Sequence, residues 1–231
     1  MAVNYATPPV VQSGSVAYFD SKRGLSTVLS NAASLVPKNN AFIDSGSFQS
    51  YYDVGVSSRY YHTAHTPDTL EGDSNFTVCG VFRRTGAFDS KGCWGIGGDV
   101  VNRGICTWNS SNTSEITIDL WGRTTFTTSQ TYPENEWCFA AWTKTAGAFS
   151  RANCAVWKND EKYTGSDLGV VRGGETQAVN INNNGLSIGS INDSTTYLCP
   201  IEIGFIIFYD RVLTDAEILK NFNFTKARGY I

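Results

Sequence analysis

Two carboxylates spaced for a single strand are the first groups in this chain that could do chemistry. In Glu115-Ile-Thr-Ile-Asp-Leu-Trp, the two-residue period of a strand sets Glu115, Thr117, Asp119 and Trp121 on one side and Ile116, Ile118 and Leu120 on the other. Paired carboxylates on one face are what acid and nucleophile or base chemistry at a glycosidic bond demands, and a solvated polar strand face is the alternative. His62 and His65, in Tyr60-Tyr-His-Thr-Ala-His-Thr, have no Ser or Cys near them in a triad context, so they read as a polar strand edge or loop. Sugar recognition asks instead for aromatic faces beside amide, carboxylate and cationic groups. The stretch from Cys93 to Asn112 offers that set in Trp94, Asp99, Asn102, Arg103 and Trp108, the candidate ligand rim. Against it stands a reading with the tryptophans in the core and the glycine run as a loop.

The cysteines point away from metal. Cys79, Cys93, Cys106, Cys138, Cys154 and Cys199 include no C-x-x-C, and two histidines leave zinc without a ligand framework. Several lie in apolar runs such as Thr77-Val-Cys-Gly-Val-Phe, where a reduced thiol acts as a small buried hydrophobe. Five N-x-S/T sequons, at Asn75, Asn109, Asn112, Asn192 and Asn223, reflect a composition rich in those residues.

With 231 residues, 41% of them apolar and 17% charged, the chain is no coiled coil, collagen-like rod or charged disordered tail. Eighteen basic against 21 acidic residues give a net charge of -3, which argues against a surface built for nucleic acid. One Met and 22 Gly suit strands joined by tight turns. The longest apolar run, Ile201 to Tyr209, is strand length and contains Glu202, so no membrane span is expected. Met1-Ala-Val-Asn-Tyr has no basic region followed by an apolar one, so the expected location is the cytoplasm of the producing cell.

Residues 1–14 read as a polar arm and 15–231 as one domain. Strands are predicted at Ser15 to Asp20, Phe76 to Arg83, Glu115 to Trp121, Trp137 to Thr143, Cys154 to Trp157, Gly185 to Ser190 and Ile201 to Tyr209, with two short ones between Phe42 and Tyr61. Leu25 to Val36 fits a short helix or an irregular loop. Thr214-Asp-Ala-Glu217 is a capping box opening one helix, with Ile218, Leu219 and Phe222 as its apolar stripe. Arg83 and Arg84 read as a solvated or interface edge. Turn signals every ten to fifteen residues or so are the spacing of a sandwich.

The last third resembles laminin G-like, concanavalin A-like jelly-roll domains. The carrying residues are Ile203-Gly-Phe-Ile-Ile-Phe-Tyr-Asp-Arg-Val-Leu-Thr-Asp-Ala-Glu-Ile, preceded in family order by Asn75-Phe-Thr-Val-Cys-Gly-Val-Phe, Glu136-Trp-Cys-Phe-Ala-Ala-Trp, Val156-Trp-Lys-Asn-Asp and Gly185-Leu-Ser-Ile-Gly. Asp160 stands where the family often has Gly after Asn. The resemblance implies an all-β, two-sheet antiparallel β-sandwich of jelly-roll type with one short C-terminal helix. The ending, Ile218-Leu-Lys-Asn-Phe-Asn-Phe-Thr-Lys-Ala-Arg-Gly-Tyr-Ile, is similar to the tail of tailed-bacteriophage versions, with Gly229 and Tyr230 transposed. That likeness implies a non-enzymatic virion protein, a capsid decoration or a head or tail appendage, assembled in the host cytoplasm. Its partners would be capsid or tail subunits or further copies of itself, with no nucleic acid and no membrane, and the arm 1–14 would order on a neighbour. A carbohydrate-binding lectin module, on host-surface or environmental glycans, is the alternative. A glycanase is the third reading. Related glucanases carry Glu-x-Asp-x-Glu on one strand, and here Thr117 replaces the middle carboxylate and Asp119 shortens the last. No cofactor is required, although the family often holds calcium in a rim loop. Candidate oxygens lie in residues 68–73, Asp89, Asp99, Asn102 and residues 180–184.

Overall fold

The structure, a computed structural model, describes residues 11, 13–20, 25–28, 36–38, 42–43, 51–54, 60–62, 65–98, 101, 103–109, 113–191 and 197–231. Its strands in chain order are β1 Ser15–Asp20, β2 Leu25–Val28, β3 Val36–Lys38, β4 Phe42–Ile43, β5 Tyr51–Val54, β6 Tyr60–His62, β7 Phe76–Arg84, β8 Trp94–Gly97, β9 Gly104–Cys106, β10 Glu115–Leu120, β11 Thr124–Thr131, β12 Trp137–Lys144, β13 Phe149–Ser150, β14 Cys154–Lys158, β15 Glu161–Thr164, β16 Gly169–Arg172, β17 Thr176–Gln177, β18 Leu186–Ile188 and β19 Ile201–Tyr209. One helix, α1 Asp215–Ala227, follows. The first sheet runs β15-β14-β12-β7-β19-β1-β2, with β5 also on β19 and β4 on β5. The second runs β16-β11-β10-β9-β8-β18-β6-β3, and β13 pairs with β17 alone. Ladders in both sheets are antiparallel, so the fold is the expected all-β sandwich with one C-terminal helix.

Apolar residues on both faces of the first sheet build two cores. Phe76, Val78 and Phe82 of β7, with Cys138, Ala140 and Trp142 of β12, face the second sheet, where Ile105, Ile116, Ile118, Leu120, Phe126 and Leu186 meet them. Cys79 and Val81, with Phe139 and Ala141, face outward and are covered by Ile218, Phe222 and Phe224 of α1. All nine residues of β19 are buried. A bulge makes this workable. Ile203 lies opposite Phe82 and Phe205 opposite Val81, so Gly204 is the extra residue. Inserting it shifts the alternation by one: Ile201, Ile203, Ile206 and Phe208 all reach the sandwich core, while Phe205, Ile207 and Tyr209 face the helix. A Cβ on Gly204 would lie 2.5 Å from Tyr230 Cζ and 2.6 Å from Val81 Cγ1, so only glycine fits beneath the tyrosine.

The capping box forms as read. Thr214 Oγ1 accepts the Glu217 N–H (3.3 Å), and Glu217 Oε2 accepts the Thr214 N–H (2.9 Å). Arg211 donates to both Glu217 oxygens (2.9 and 2.6 Å), which holds that carboxyl down at about 2. The buried stripe differs from expectation: Leu219 is 38% exposed, while Asn221 and Thr225 are buried with Ile218 and Phe222. Asn221 is drawn inward because its amide donates to Tyr209 Oη (3.0 Å) and its Oδ1 accepts the Val11 N–H (3.0 Å).

Residues 1–10 and 12 of the expected arm lie outside the described residues, but Val11 is buried against α1 and its carbonyl accepts the Tyr209 hydroxyl (2.9 Å). The open segment 25–36 starts with β2 and ends at the first residue of β3. Among the described residues, 42–61 hold β4, β5 and the start of β6, where two short strands were expected. The Arg83–Arg84 pair, read as a solvated or interface edge, is half-buried and ion-paired. Arg83 bonds Glu202 and lies over the Trp137 ring, and Arg84 donates to the Tyr132 carbonyl (3.0 Å) and to Glu134 (3.1 Å).

Because Tyr230 is seated over the bulge, Gly204→Ala is expected to cost about 1–3 kcal/mol in urea denaturation. A loss under about 0.5 kcal/mol would show that the tyrosine moves aside freely.

Candidate functional site

The outer face of the second sheet carries the chemistry, and strand register assembles it. Asp119 on β10 lies opposite Cys106 on β9 and Thr125 on β11, and Thr125 lies opposite Arg172 on β16. Residues directly opposite across a ladder share a face, so these four stand in one row. On the other side the row continues through Gly95 of β8 and Ser187 of β18. The absent side chain of Gly95 is filled by Ile191, whose Cγ2 would lie 3.5 Å from a Cβ there.

Asp119 is completely buried. Its Oδ2 accepts the Thr125 hydroxyl and Arg172 Nη2 (3.0 Å), and its Oδ1 accepts Arg172 Nη2 (3.3 Å) and the Cys106 thiol (3.9 Å). Burial pushes its carboxyl up to about 6 in spite of the hydroxyl and guanidinium, which favour the charged form. Two buried polar atoms in this row, Arg172 Nε and Ser187 Oγ, have no hydrogen-bond partner.

One row along, Thr117 is closed by the backbone of Trp108: its hydroxyl donates to the Trp108 carbonyl (2.8 Å) and accepts the Trp108 N–H (3.0 Å). Glu115 Oε2 accepts the Thr127 hydroxyl (2.7 Å). The strand face that reads as solvated is therefore largely covered, with Thr117 2% and Asp119 0% exposed. Asp119 has both oxygens occupied and no access to solvent, so it is not presented to a sugar as a nucleophile or base.

Beside this row lies an aromatic corner. Trp108, Trp121 and Tyr197 meet edge to face in all three pairings, with ring centroids 5.2, 5.2 and 5.4 Å apart, over Cys106 and Ile191. Trp108 is buried, whereas Trp121 and Tyr197 are half-buried. The Trp121 N–H donates to the Gly104 carbonyl (2.9 Å), which ties the corner to the turn bearing the exposed Arg103.

Of the residues read as a rim, Trp94 and Trp108 go to opposite sides of the second sheet. Trp94 is 0% exposed and packs edge to face with Phe76, Trp142 and Phe208 in the sandwich core, because it shares the inward parity of Ile96 on β8. Trp108 lies just past β9 and reaches the outer face. Arg103 is exposed, and Asp99 and Asn102 lie outside the described residues. Arg172, Thr125, Cys106 and Tyr197 were missed as partners, since only register brings them to Asp119 and Trp121. Trp121 was legible from its alternation with Glu115 and Asp119.

Among the described residues no group of three or more His, Cys, Asp and Glu side chains could hold a metal. Several candidate calcium oxygens have other partners. Asp73 accepts the buried Lys144 ammonium (2.6 Å) and the Gly147 N–H (2.7 Å), and Asn182 and Asn183 accept the Gly98 and Thr66 N–H groups (2.6 and 2.9 Å). His62 lies in β6 and His65 is exposed. An open hollow of about 570 Å³ lined by Thr128, Glu161, Lys162, Tyr163 and Asp167 lies at the other edge of the sandwich.

No protein-family model matches the chain, and no curated protein matches its sequence. Solved structures do share its fold. A Trypanosoma rangeli sialidase in complex with sialic acid superposes over 94% of this chain and 34% of its own, with 11% identity and a TM-score of 0.60. The binding domain of botulinum neurotoxin serotype D matches 90% of this chain and 51% of its own at 13% identity and a TM-score of 0.59. A botulinum neurotoxin type C structure, from work on cell entry dependent upon two ganglioside molecules, matches 91% and 51% at 12% identity and 0.60. The chain thus spans about a third of the sialidase and half of the toxin chains, and identities this low establish the β-sandwich fold alone.

Folding binds a proton to Asp119 between its usual value near 3.8 and about 6, so this group's contribution to stability is full below the lower value and lost as pH rises through the upper. Relative to Asp119→Asn, the wild-type protein should lose about 2 kcal/mol between pH 4 and pH 7 in urea titrations. Parallel pH profiles for the two proteins would contradict this.

Proposed function

We propose that this protein is a non-enzymatic adhesion module that binds glycan at the Trp108–Trp121–Tyr197 corner. The observation that carries the reading is the corner itself: three meshed rings outside both main cores, two of them half-buried. Half-exposed aromatic rings can stack on the apolar face of a sugar ring. The shared fold adds direction, since sialic acid and gangliosides are named with the sialidase and the type C toxin. Sialylated glycans are accordingly the first ligands to test. The non-enzymatic part rests on the locked state of Asp119 and on the closure of Thr117 by Trp108.

The setting we infer is a tailed-bacteriophage virion, with the module on a capsid decoration or a head or tail appendage assembled in the host cytoplasm. The phage-like tail from Ile218 to Ile231 supports this, and structurally it is no loose end: Tyr230 meets Trp137 at 5.0 Å and covers the bulge of β19. Capsid or tail subunits would be its partners.

A glycan array including sialylated structures should show binding that Trp121→Ala and Tyr197→Ala each weaken about tenfold at a temperature where circular dichroism shows both variants folded. An array without hits removes the adhesion reading. Cryo-EM of the encoding particle tests the setting, and absence of the protein from the particle removes it.

A further inference from the structure

Two of the six buried thiols touch. Cys93 Sγ and Cys199 Sγ are 3.1 Å apart, although the residues are 106 positions apart in sequence. None of the six cysteines is bonded to another, and among the described residues no other thiol has a thiol within hydrogen-bonding distance. Cys79 is paired with Asn221 and Cys106 with Asp119. The backbones of the touching pair are also held together: the Gly189 N–H donates to the Cys93 carbonyl (2.7 Å), and the Cys199 N–H donates to the Gly189 carbonyl (2.9 Å). The Cys93 N–H is fixed in turn by Thr107 Oγ1 (2.7 Å). Cys93 directly precedes β8 in the second sheet, and Cys199 stands two residues before β19 in the first. A bond between them would therefore join the two sheets across the sandwich core and fix the chain two residues after Tyr197.

We propose that Cys93 and Cys199 are a disulfide-forming pair, oxidised by a low-molecular-weight disulfide such as glutathione disulfide. One protein thiolate attacks the small disulfide, forming a mixed disulfide and releasing one small thiol; the other protein thiolate attacks the protein sulfur of that mixed disulfide and releases the second. The two protein thiols lose two electrons and two protons, and the oxidant is reduced to two thiols. Burial raises the Cys199 thiol well above its ordinary value, so little thiolate exists in the folded core. The exchange accordingly runs on the open chain in an oxidising medium and is slow once the sandwich has closed, so in a reducing cytoplasm the pair stays a dithiol. The linked chain then has a cross-link closing a loop of more than a hundred residues or so, which restricts the unfolded state.

The test is refolding of the full chain in glutathione redox buffer and, separately, in dithiothreitol. Peptide mapping without reduction should find one link, Cys93 to Cys199, with the other four of the six cysteines open to alkylation after unfolding. The oxidised protein should melt about 10 °C above the reduced one. Cys138→Ala, which removes the nearby core thiol, should leave both results unchanged, while Cys93→Ala should abolish the link and the difference between the two buffers. Six alkylatable thiols after refolding in the redox buffer, links scattered over Cys138 and the others, or a Cys93–Cys199 link with no gain in melting temperature would each overturn the proposal. The wild-type comparison stands even if a cysteine variant fails to fold.

Discussion

Strand β19 has to satisfy two cores at once, and the molecule is arranged around how it does so. It is central in the first sheet, paired along one side with β7 and along the other with β5 and then β1. A regular strand would send every second residue to the same face for its whole length. The bulge at Gly204 breaks that rule midway, so that Ile201 and Ile203 before it and Ile206 and Phe208 after it all fill the sandwich, while Phe205, Ile207 and Tyr209 receive the helix. The helix, its capping Arg211–Glu217 pair and the final Tyr230 exist in their positions because that outer face needs a cover. Without them, Phe205, Phe139 and Val81 would present an apolar patch to water.

The second sheet solves the opposite problem, since polar side chains are buried on its outer face. A buried carboxylate is tolerated where a cation and hydrogen bonds compensate it, and Asp119 has Arg172, Thr125 and Cys106 on its two neighbouring strands and the one beyond. That compensation also removes it from catalysis, because every lone-pair direction that could meet a substrate is spent. Beside the row, Trp121 and Tyr197 are only half covered.

Much of the fold was legible because strand alternation and capping are local. Phe76 to Arg83, Glu115 to Leu120 and Ile201 to Tyr209 are strands where the period of two or the length of the apolar run predicts them, and Thr214 with Glu217 caps the helix as spacing requires. The failures have nonlocal causes. Leu219 carries the right hydrophobicity for the helix stripe, but the partners that set the helix rotation are Tyr209, Cys79 and Val11, so Asn221 is inside and Leu219 outside. Trp94 and Trp108 sit close in sequence, in β8 and just past β9, yet one goes to the core and the other to the surface corner.

The amino-acid sequence by itself determined the class of the fold, the position of its clearest strands, the one helix and its start, and the polar side of β10, because each depends on residues within a few positions of one another. Tertiary structure alone decided which strands became neighbours. Register across β9, β10, β11 and β16 brought Cys106, Thr125 and Arg172 to Asp119 from positions up to 53 residues away, and the return of the chain before β19 set Tyr197 against Trp121 and Cys199 against Cys93. Pairing of that kind is a choice among many strand orders with similar local energies, and it is settled by how two sheets and a helix bury their apolar faces together.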